Sequence, residues 1–213
     1  IPYPLPWQPL AAEPDCDKED FVLLYLGRIA PEKGLDALVR AYVALPEKIR
    51  SAWKLRIVGP ADVARGGGGQ TFLGRLRERA APVASRAEFP GPIFDESQLR
   101  RELSRASLFV YPSLAEKGET FGLAPLEAMS CGCPALVSGL ACFKDFIVDG
   151  LDGFTFDHSG DDPFPALHEK LKALLSEPQR LERVRPLAFQ KATQFEAERV
   201  ADAYLADFHE LLE

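Results

Sequence analysis

Residues 115–132 read AEKGETFGLAPLEAMSCG, and the rest of the chain is organised around this stretch. Pro125 lacks a backbone N–H, so within a helix it fits only the first turn. An apolar pattern of helical spacing follows this proline, and Gly132 is a natural stop. The stretch therefore predicts a helix that begins near Leu123 or Ala124.

The residues just before this predicted helix are suited to bind an anion. Thr120, Phe121 and Gly122 would leave their backbone N–H groups pointing out of the helix end, which carries a partial positive charge. Such ends bind phosphates, and Gly122 has no side chain to keep a ligand away from the backbone. The sequence therefore predicts a phosphate site in front of Leu123.

Two glutamates flank this predicted phosphate site. Glu119 lies in the loop before the helix, and Glu127 lies about one turn inside it. A carboxylate is a poor partner for phosphate but a good acceptor for hydroxyl groups. The predicted ligand therefore carries phosphate in its middle and hydroxyl-rich groups at both ends, as a nucleotide diphosphate sugar does.

The spacing Glu119-x7-Glu127, with Phe121-Gly122-Leu123 between the glutamates, resembles the signature of retaining glycosyltransferases of family 4, which have the GT-B architecture. The resemblance runs from about Phe21 to the C-terminus. Members of that family bind a nucleotide-sugar donor on the C-terminal of two Rossmann-like domains. The chain resembles that domain alone, which implies that an N-terminal, acceptor-binding domain is missing from it.

The resemblance assigns roles to side chains in two loops. Gly27, Arg28 and Lys33 follow the first predicted strand, and the two cations would hold the diphosphate and stabilise its charge as the sugar leaves. Glu119 would contact the donor sugar, and Glu127 would contact the ribose hydroxyls. Arg28, Lys33 and Glu119 are thus the predicted catalytic residues. Without the resemblance, the two cations would be interpreted as solvated surface charges. No metal or other cofactor is expected.

Turns elsewhere in the sequence complete the predicted donor site. The turns after the second and third strands would approach the base, although turns of this kind are also common without a ligand. The whole predicted site comprises Gly27, Arg28, Lys33, Gly59, Pro92, Ile93, Glu119, Thr120, Phe121, Gly122, Leu123 and Glu127.

The chain alternates strand-like and helix-like segments after a proline-rich start. Residues 1–20 contain five prolines and are expected to form an extended interdomain linker. Residues 21–190 alternate apolar runs such as 21–26 (FVLLYL) and 53–58 (WKLRIV) with helical patterns. This alternation predicts an α/β fold, a Rossmann-like parallel sheet with helices on both faces, and the resemblance makes it the C-terminal half of a GT-B fold. Residues 191–213 are expected to form a helix that crosses back onto the N-terminal domain.

The net charge and the hydropathy of the sequence limit the classes of partner that the chain is expected to bind. The net charge is −7 and the isoelectric point is near 5.1, which argues against a nucleic-acid surface. No apolar run is long enough to span a bilayer, and no signal peptide is visible. Peripheral membrane contact through the missing half stays open. The cysteines are interpreted as reduced, and sugar nucleotides are made in the cytosol. Both points favour a cytoplasmic location.

Three motifs have competing interpretations. Asp15-Cys16-Asp17 has the form of a metal-binding DxD motif, but it lies in the linker with no strand before it. Cys131-Gly132-Cys133 could be a redox pair, although small buried residues at a turn are the simpler interpretation. Gly66–Gly69 could form a phosphate nest, yet four consecutive glycines favour a mobile loop.

The sequence thus predicts the donor-binding domain of a retaining glycosyltransferase of the hexosyltransferase type. The isolated domain is expected to be inactive, because the reaction needs a cleft between two domains. Two other classes stay open: a non-enzymatic module that binds sugar nucleotides, and another enzyme of GT-B fold such as a sugar-nucleotide epimerase. An NAD dehydrogenase is disfavoured, since no Gly-x-Gly-x-x-Gly follows the first strand.

Overall fold

The computed structural model describes residues 2–9 and 21–212, and these contain one sheet of six parallel strands. The strands pair in the order β3-β2-β1-β4-β5-β6. Their bounds are β1 (Phe21–Leu26), β2 (Trp53–Val58), β3 (Ala87–Gly91), β4 (Leu108–Tyr111), β5 (Ala135–Ser138) and β6 (Phe154–Phe156). The predicted α/β class and parallel sheet are confirmed.

Helices pack in two groups against this sheet. Their bounds are α1 (Leu35–Val43), α2 (Glu47–Arg50), α3 (Gly69–Ala80), α4 (Glu96–Arg105), α5 (Leu123–Ser130), α6 (Phe164–Ser176), α7 (Pro178–Ala192) and α8 (Ala197–Leu212). Helix α1 packs with α3 and α6, whereas α5 packs with α4 and α7. Right-handed crossovers that run in opposite directions from β1 place these two groups on opposite faces.

The central strands β1 and β2 have the bounds that the sequence predicts. Leu23, Leu24 and Tyr25 of β1 are fully buried, and β1 pairs with β2 in register along its whole length. Strands covered by helices on both faces read as continuous apolar runs rather than as an alternating pattern. This is why the two apolar runs could be assigned from the sequence.

The strand order creates a switch point between β1 and β4. From β1 the chain runs outward through β2 and β3, and it then returns to the other side of β1 and continues outward through β4, β5 and β6. The connections that leave β1 and β4 therefore diverge and open a crevice at the carboxyl edge of the sheet. In open α/β sheets such crevices bind ligands. Residues 27–34 and 112–122 line this one.

Two local features of the fold have simple causes. Ala141–Asp145 form a 3-10 turn, which is closed by short i to i+3 bonds such as Phe143 N to Leu140 O. Strand β3 continues through Pro90 to Gly91. β3 lies at an edge of the sheet, and an edge strand tolerates a proline because one side needs no donor.

The glycine run Gly66–Gly69 is hydrogen-bonded, so the expectation of a free loop is wrong. Gly68 N donates to Ile29 O and Gly69 N donates to Ala61 O, both at 2.8 Å. A Cβ on Gly67 would lie 2.4 Å from the same Ala61 carbonyl oxygen. The run therefore forms a tight turn that only glycine fits, and it leads directly into α3.

The two ends of the chain differ in how they pack. Leu5 is buried and its N–H donates to Phe195 O at 2.8 Å, so the described part of the predicted linker lies on the domain. The rest of that linker, with the Asp15-Cys16-Asp17 motif, lies outside the described residues. In α8, Val200 is buried, whereas Tyr204, Leu205 and Phe208 are 39–58% exposed. The apolar side chains of α8 therefore face solvent beyond its first turn.

Candidate functional site

A buried ion pair joins the two sides of the crevice. Lys33 Nζ lies 2.6 Å from Glu119 Oε2, and the two side chains are 8% and 9% exposed. Lys33 ends a 3-10 turn (Pro31–Lys33) in the loop after β1, and Glu119 lies in the loop after β4. The fold thus brings together two predicted site residues that are 86 positions apart in the sequence.

Each member of this ion pair has a second hydrogen-bonding partner. Lys33 Nζ donates to the Tyr111 hydroxyl at 2.8 Å, and Ser113 Oγ donates to Glu119 Oε2 at 2.8 Å. Burial, and then the Glu119 charge, raise the pKa of Tyr111 well above its usual range, so the phenol keeps its proton. Sequence reasoning missed Tyr111 and Ser113. Their position at the end of a strand on the predicted ligand edge was the available signal.

The N-terminus of α5 is open toward the crevice. The helix begins at Leu123 as predicted, after Gly122 in the left-handed conformation (φ 80°). Within residues 2–9 and 21–212, no acceptor takes the backbone N–H groups of residues 120–124. A Cβ on Gly122 would lie 2.3 Å from the Phe143 ring. Packing therefore explains this glycine, rather than the close approach of a ligand that the sequence suggested.

Arg28 lies at the mouth of the crevice and is held by neighbouring groups. Its side chain is 44% exposed, Nη1 lies 3.2 Å from Glu32 Oε1, and it donates to the carbonyl of Gly66. The backbone of the loop is fixed as well, because the Tyr25 hydroxyl donates to Arg28 O at 2.7 Å. The glycine run and the loop after β1 therefore hold one exposed cation beside the buried Lys33.

The turns predicted to approach the base lie on one side of β1, and Glu119 lies on the other side, after β4. Gly27 and Gly59 are in backbone contact, because a Cβ on Gly59 would lie 1.8 Å from Gly27 O. Pro92 and Ile93 follow β3, which is two strands from β1. At ~4.8 Å per strand this is roughly 10 Å. These residues therefore border the crevice on the side opposite to β4.

Glu127 differs from Glu119 in having no side-chain partner among the described residues. Its half-buried carboxylate makes no hydrogen bond or ion pair with any described residue. Burial raises the pKa of Glu127 to about 7. An unpaired carboxylate on α5 is an acceptor that ligand hydroxyl groups could satisfy.

The family model described as "Glycosyl transferases group 1" matches residues 10–191 of the chain. The chain belongs to the glycosyl transferases group 1 family. This confirms the superfamily that the Glu119-x7-Glu127 spacing indicated. The match covers both loops of the crevice and the whole parallel sheet.

Two relatives show how much of a longer protein the chain represents. The chain is 30% identical over 201 residues to D-inositol 3-phosphate glycosyltransferase 1 of Catenulispora acidiphila, and this covers 91% of the chain and 45% of the relative. It is 31% identical over 133 residues to lipopolysaccharide 1,2-N-acetylglucosaminetransferase of Salmonella typhimurium, which covers 62% of the chain and 34% of that enzyme. The chain thus spans about a third to a half of these relatives.

A solved structure shares the group 1 fold described above. The crystal structure of Anabaena HepE in complex with UDP and glucose aligns with a TM-score of 0.72 at 19% identity. The alignment covers 90% of the chain and 48% of that structure. The Rossmann-like architecture is therefore shared with part of this protein of known structure.

Glu127→Gln is expected to stabilise the chain at alkaline pH. The folded-state pKa of about 7 lies above the ordinary value of 4.5, so ionisation is harder in the folded state. The cost is absent below pH ~4.5 and is complete above pH ~7, where it reaches at most about 3 kcal/mol. Urea unfolding at pH 5 and pH 8 should show a gain for the variant mainly at pH 8. Glu78→Gln, at an exposed position of α3, is the control, and an equal gain at both pH values would contradict the assignment.

The buried cysteines of this group 1 domain are packing residues. Cys131 and Cys133 are fully buried, and burial raises the pKa of the Cys131 thiol to about 11. A thiol that stays protonated is a poor nucleophile. The structural interpretation of this motif is therefore favoured over a redox pair.

Two features are absent from the described residues. No group of three or more His, Cys, Asp or Glu side chains that could hold a metal ion occurs in that part of the chain. Within the same residues, no helix is long and apolar enough to cross a membrane.

Proposed function

We propose that the chain is the donor-binding domain of a retaining group 1 glycosyltransferase of family 4. It would hold a nucleotide diphosphate sugar across the crevice between β1 and β4. The observation that carries this proposal is the buried Lys33 ammonium beside the open N-terminus of α5. Both are phosphate-binding features, and they meet at the switch point of the sheet.

The hydrogen-bonding capacity of this site exceeds what the protein uses. An ammonium carries three donors, and Lys33 uses two of them on Tyr111 and Glu119. The N–H groups of residues 120–124 are also unused among the described residues. Arg28 adds an exposed, bidentate cation at the mouth. Together these donors can surround a diphosphate without a metal ion, and we propose that none is required.

The proposed reaction needs no side-chain nucleophile. The bond between C1 of the sugar and the β-phosphate oxygen breaks, and its electron pair stays on that oxygen. The acceptor oxygen then bonds to the same face of C1, and its proton passes to the departing phosphate. Arg28, Lys33 and the N–H groups of α5 would stabilise the phosphate charge, which grows as the bond breaks. Glu119 would accept a hydrogen bond from the sugar, and Glu127 from the ribose.

The acceptor would be bound by an N-terminal domain, as in a two-domain enzyme. The isolated chain is then expected to bind the donor without transferring its sugar. We further propose that the donor carries a hexose, that residues 191–213 cross to the other domain, and that the enzyme works in the cytoplasm. The chain's coverage of less than half of its relatives supports the two-domain arrangement.

Calorimetric titration of the chain with UDP, GDP and ADP in the presence of EDTA tests the donor proposal. UDP is the first probe, because the Anabaena structure that shares the fold holds UDP. We expect one diphosphate to bind, and we expect Arg28→Ala to weaken it by about tenfold, a loss typical of one charged hydrogen bond. Arg183→Ala, on the exposed face of α7, is the matched control. Absence of binding by this chain and by a longer protein that includes the acceptor domain would refute the proposal.

A further inference from the structure

The Lys33 ammonium and the Glu119 carboxylate contact each other, whereas the proposed function needs both groups to contact the ligand. Glu119 Oε2 takes one of the Lys33 N–H donors at 2.6 Å. A donor phosphate would need that ammonium, and a donor sugar would need that carboxylate. Lys33 has one further N–H donor, but it can offer a phosphate a second donor and its uncompensated charge only when the pair separates. Both groups lie in a buried crevice, where an unpaired charge is strongly disfavoured.

The surroundings of the pair suit such a separation. Lys33 would keep its hydrogen bond to the Tyr111 hydroxyl, and Glu119 would keep the hydrogen bond from Ser113 Oγ. Ser113 is itself held in place, because Ser138 Oγ donates to its carbonyl oxygen at 2.5 Å. Each charge therefore retains a neutral, fixed partner when the direct contact between the charges is lost.

We infer that the Lys33–Glu119 pair is a latch that the donor opens, with Tyr111 and Ser113 as its positioning residues. The inference rests on the proposed function. The incoming phosphate replaces the Glu119 carboxylate on Lys33, while Tyr111 keeps the ammonium in place. Glu119 keeps the hydrogen bond from Ser113 Oγ. Its remaining lone pairs accept a hydrogen bond from a hydroxyl group of the donor sugar. The Glu119 carboxylate thus competes with the incoming phosphate for Lys33. Once the donor is bound, the same carboxylate contacts the sugar.

The latch predicts that removing the Glu119 charge tightens the binding of phosphate. The probes are inorganic pyrophosphate, which lacks base and sugar, and UDP, GDP and ADP. Calorimetric titration should give about tenfold tighter binding for Glu119→Gln and about tenfold weaker binding for Tyr111→Phe. Tyr42→Phe removes another buried hydroxyl, which bonds to Trp53 O away from the crevice, and should leave the affinity unchanged. Unchanged or weaker binding by Glu119→Gln would overturn the latch.

A double-mutant cycle tests the positioning role of Ser113. Without its hydroxyl, the separated Glu119 loses its remaining partner, so Ser113→Ala should weaken the binding of pyrophosphate severalfold. In a Glu119→Gln background the latch is already open, and Ser113→Ala should then have no effect. Equal losses in both backgrounds would show that Ser113 acts only through packing, which would overturn its assignment.

The same titrations separate this inference from the proposed function. If a nucleoside diphosphate binds and the Glu119→Gln affinity is unchanged, the donor site stands and the latch is wrong. If pyrophosphate binds with the expected pattern of variants and no nucleotide binds, the latch stands and the nucleotide-sugar proposal is wrong. If neither the wild-type chain nor a longer protein that includes the acceptor domain binds any of the probes, both are refuted.

Discussion

Lys33→Met is expected to lower sugar transfer by the complete enzyme by two to three orders of magnitude. Lys33 is the buried cation of the crevice, and its ammonium would face the phosphate charge that grows as the sugar leaves. Loss of one such fixed donor typically costs about 10²–10³ in kcat. Steady-state rates with the natural donor, together with titration of the diphosphate, would measure the effect. Rates and affinities equal to wild type would remove Lys33 from the site.

The same substitution should also destabilise the fold, because it leaves Glu119 buried without its cation. Breaking a buried ion pair from one side costs roughly 3–5 kcal/mol. The matched control is the double variant Lys33→Met/Glu119→Gln, which removes both charges. Urea unfolding should show that the double variant recovers most of the lost stability, whereas its affinity for diphosphate stays low. Recovery of both quantities would mean that Lys33 has only a structural role.

Gly34→Ala is expected to cost roughly 2–4 kcal/mol of folding stability, a large effect for one methyl group. Gly34 has a φ of 68°, where a side chain is strained, and a Cβ there would lie 2.0 Å from Pro112 O. This contact joins the loop after β1 to the loop after β4, so the two sides of the crevice would be forced apart. Diphosphate binding should therefore fall together with stability.

Gly74→Ala provides the matched control for this prediction. Gly74 lies within α3 and has no heavy atom within 4 Å of a built Cβ. Alanine should stabilise the helix there by about 0.5–1 kcal/mol. Urea unfolding of both variants compares the same chemical change at a crowded and at an open position. A Gly34→Ala variant as stable as wild type would show that the two loops are not held together at this point.

Much of the fold could be predicted because it depends on local sequence patterns. The apolar runs 21–26 and 53–58 predicted β1 and β2 with correct bounds, because strands buried on both faces are continuously apolar. Pro125 fixed the first turn of α5 in the same way. The expectation at Gly66–Gly69 failed, because a run of glycines has the same sequence whether it is free or forms a tight turn.

The arrangement inside the site could not be predicted, because it depends on which loops meet. The sequence supplied Lys33 and Glu119 as separate candidates, and the order of the strands brings them into contact. Tyr111 and Ser113 matter through hydrogen bonds to these two residues, and no motif marks them. The roles of the site residues stay predictions until the titrations are done.

Helix α5 connects a tryptophan at its C-terminal end with the crevice at its N-terminal end. The chain has two tryptophans. Trp53 is 1% exposed in the core, whereas the partly exposed Trp7 donates its indole N–H to Ser130 Oγ at 3.0 Å, in the last turn of the helix whose first turn faces the crevice. Trp7 is therefore a fluorophore that contacts one end of α5, and the other end of this helix faces the crevice. A change at the crevice that shifts α5 is therefore expected to alter the emission of Trp7, and a Trp53→Phe variant would leave Trp7 as the single tryptophan to be measured.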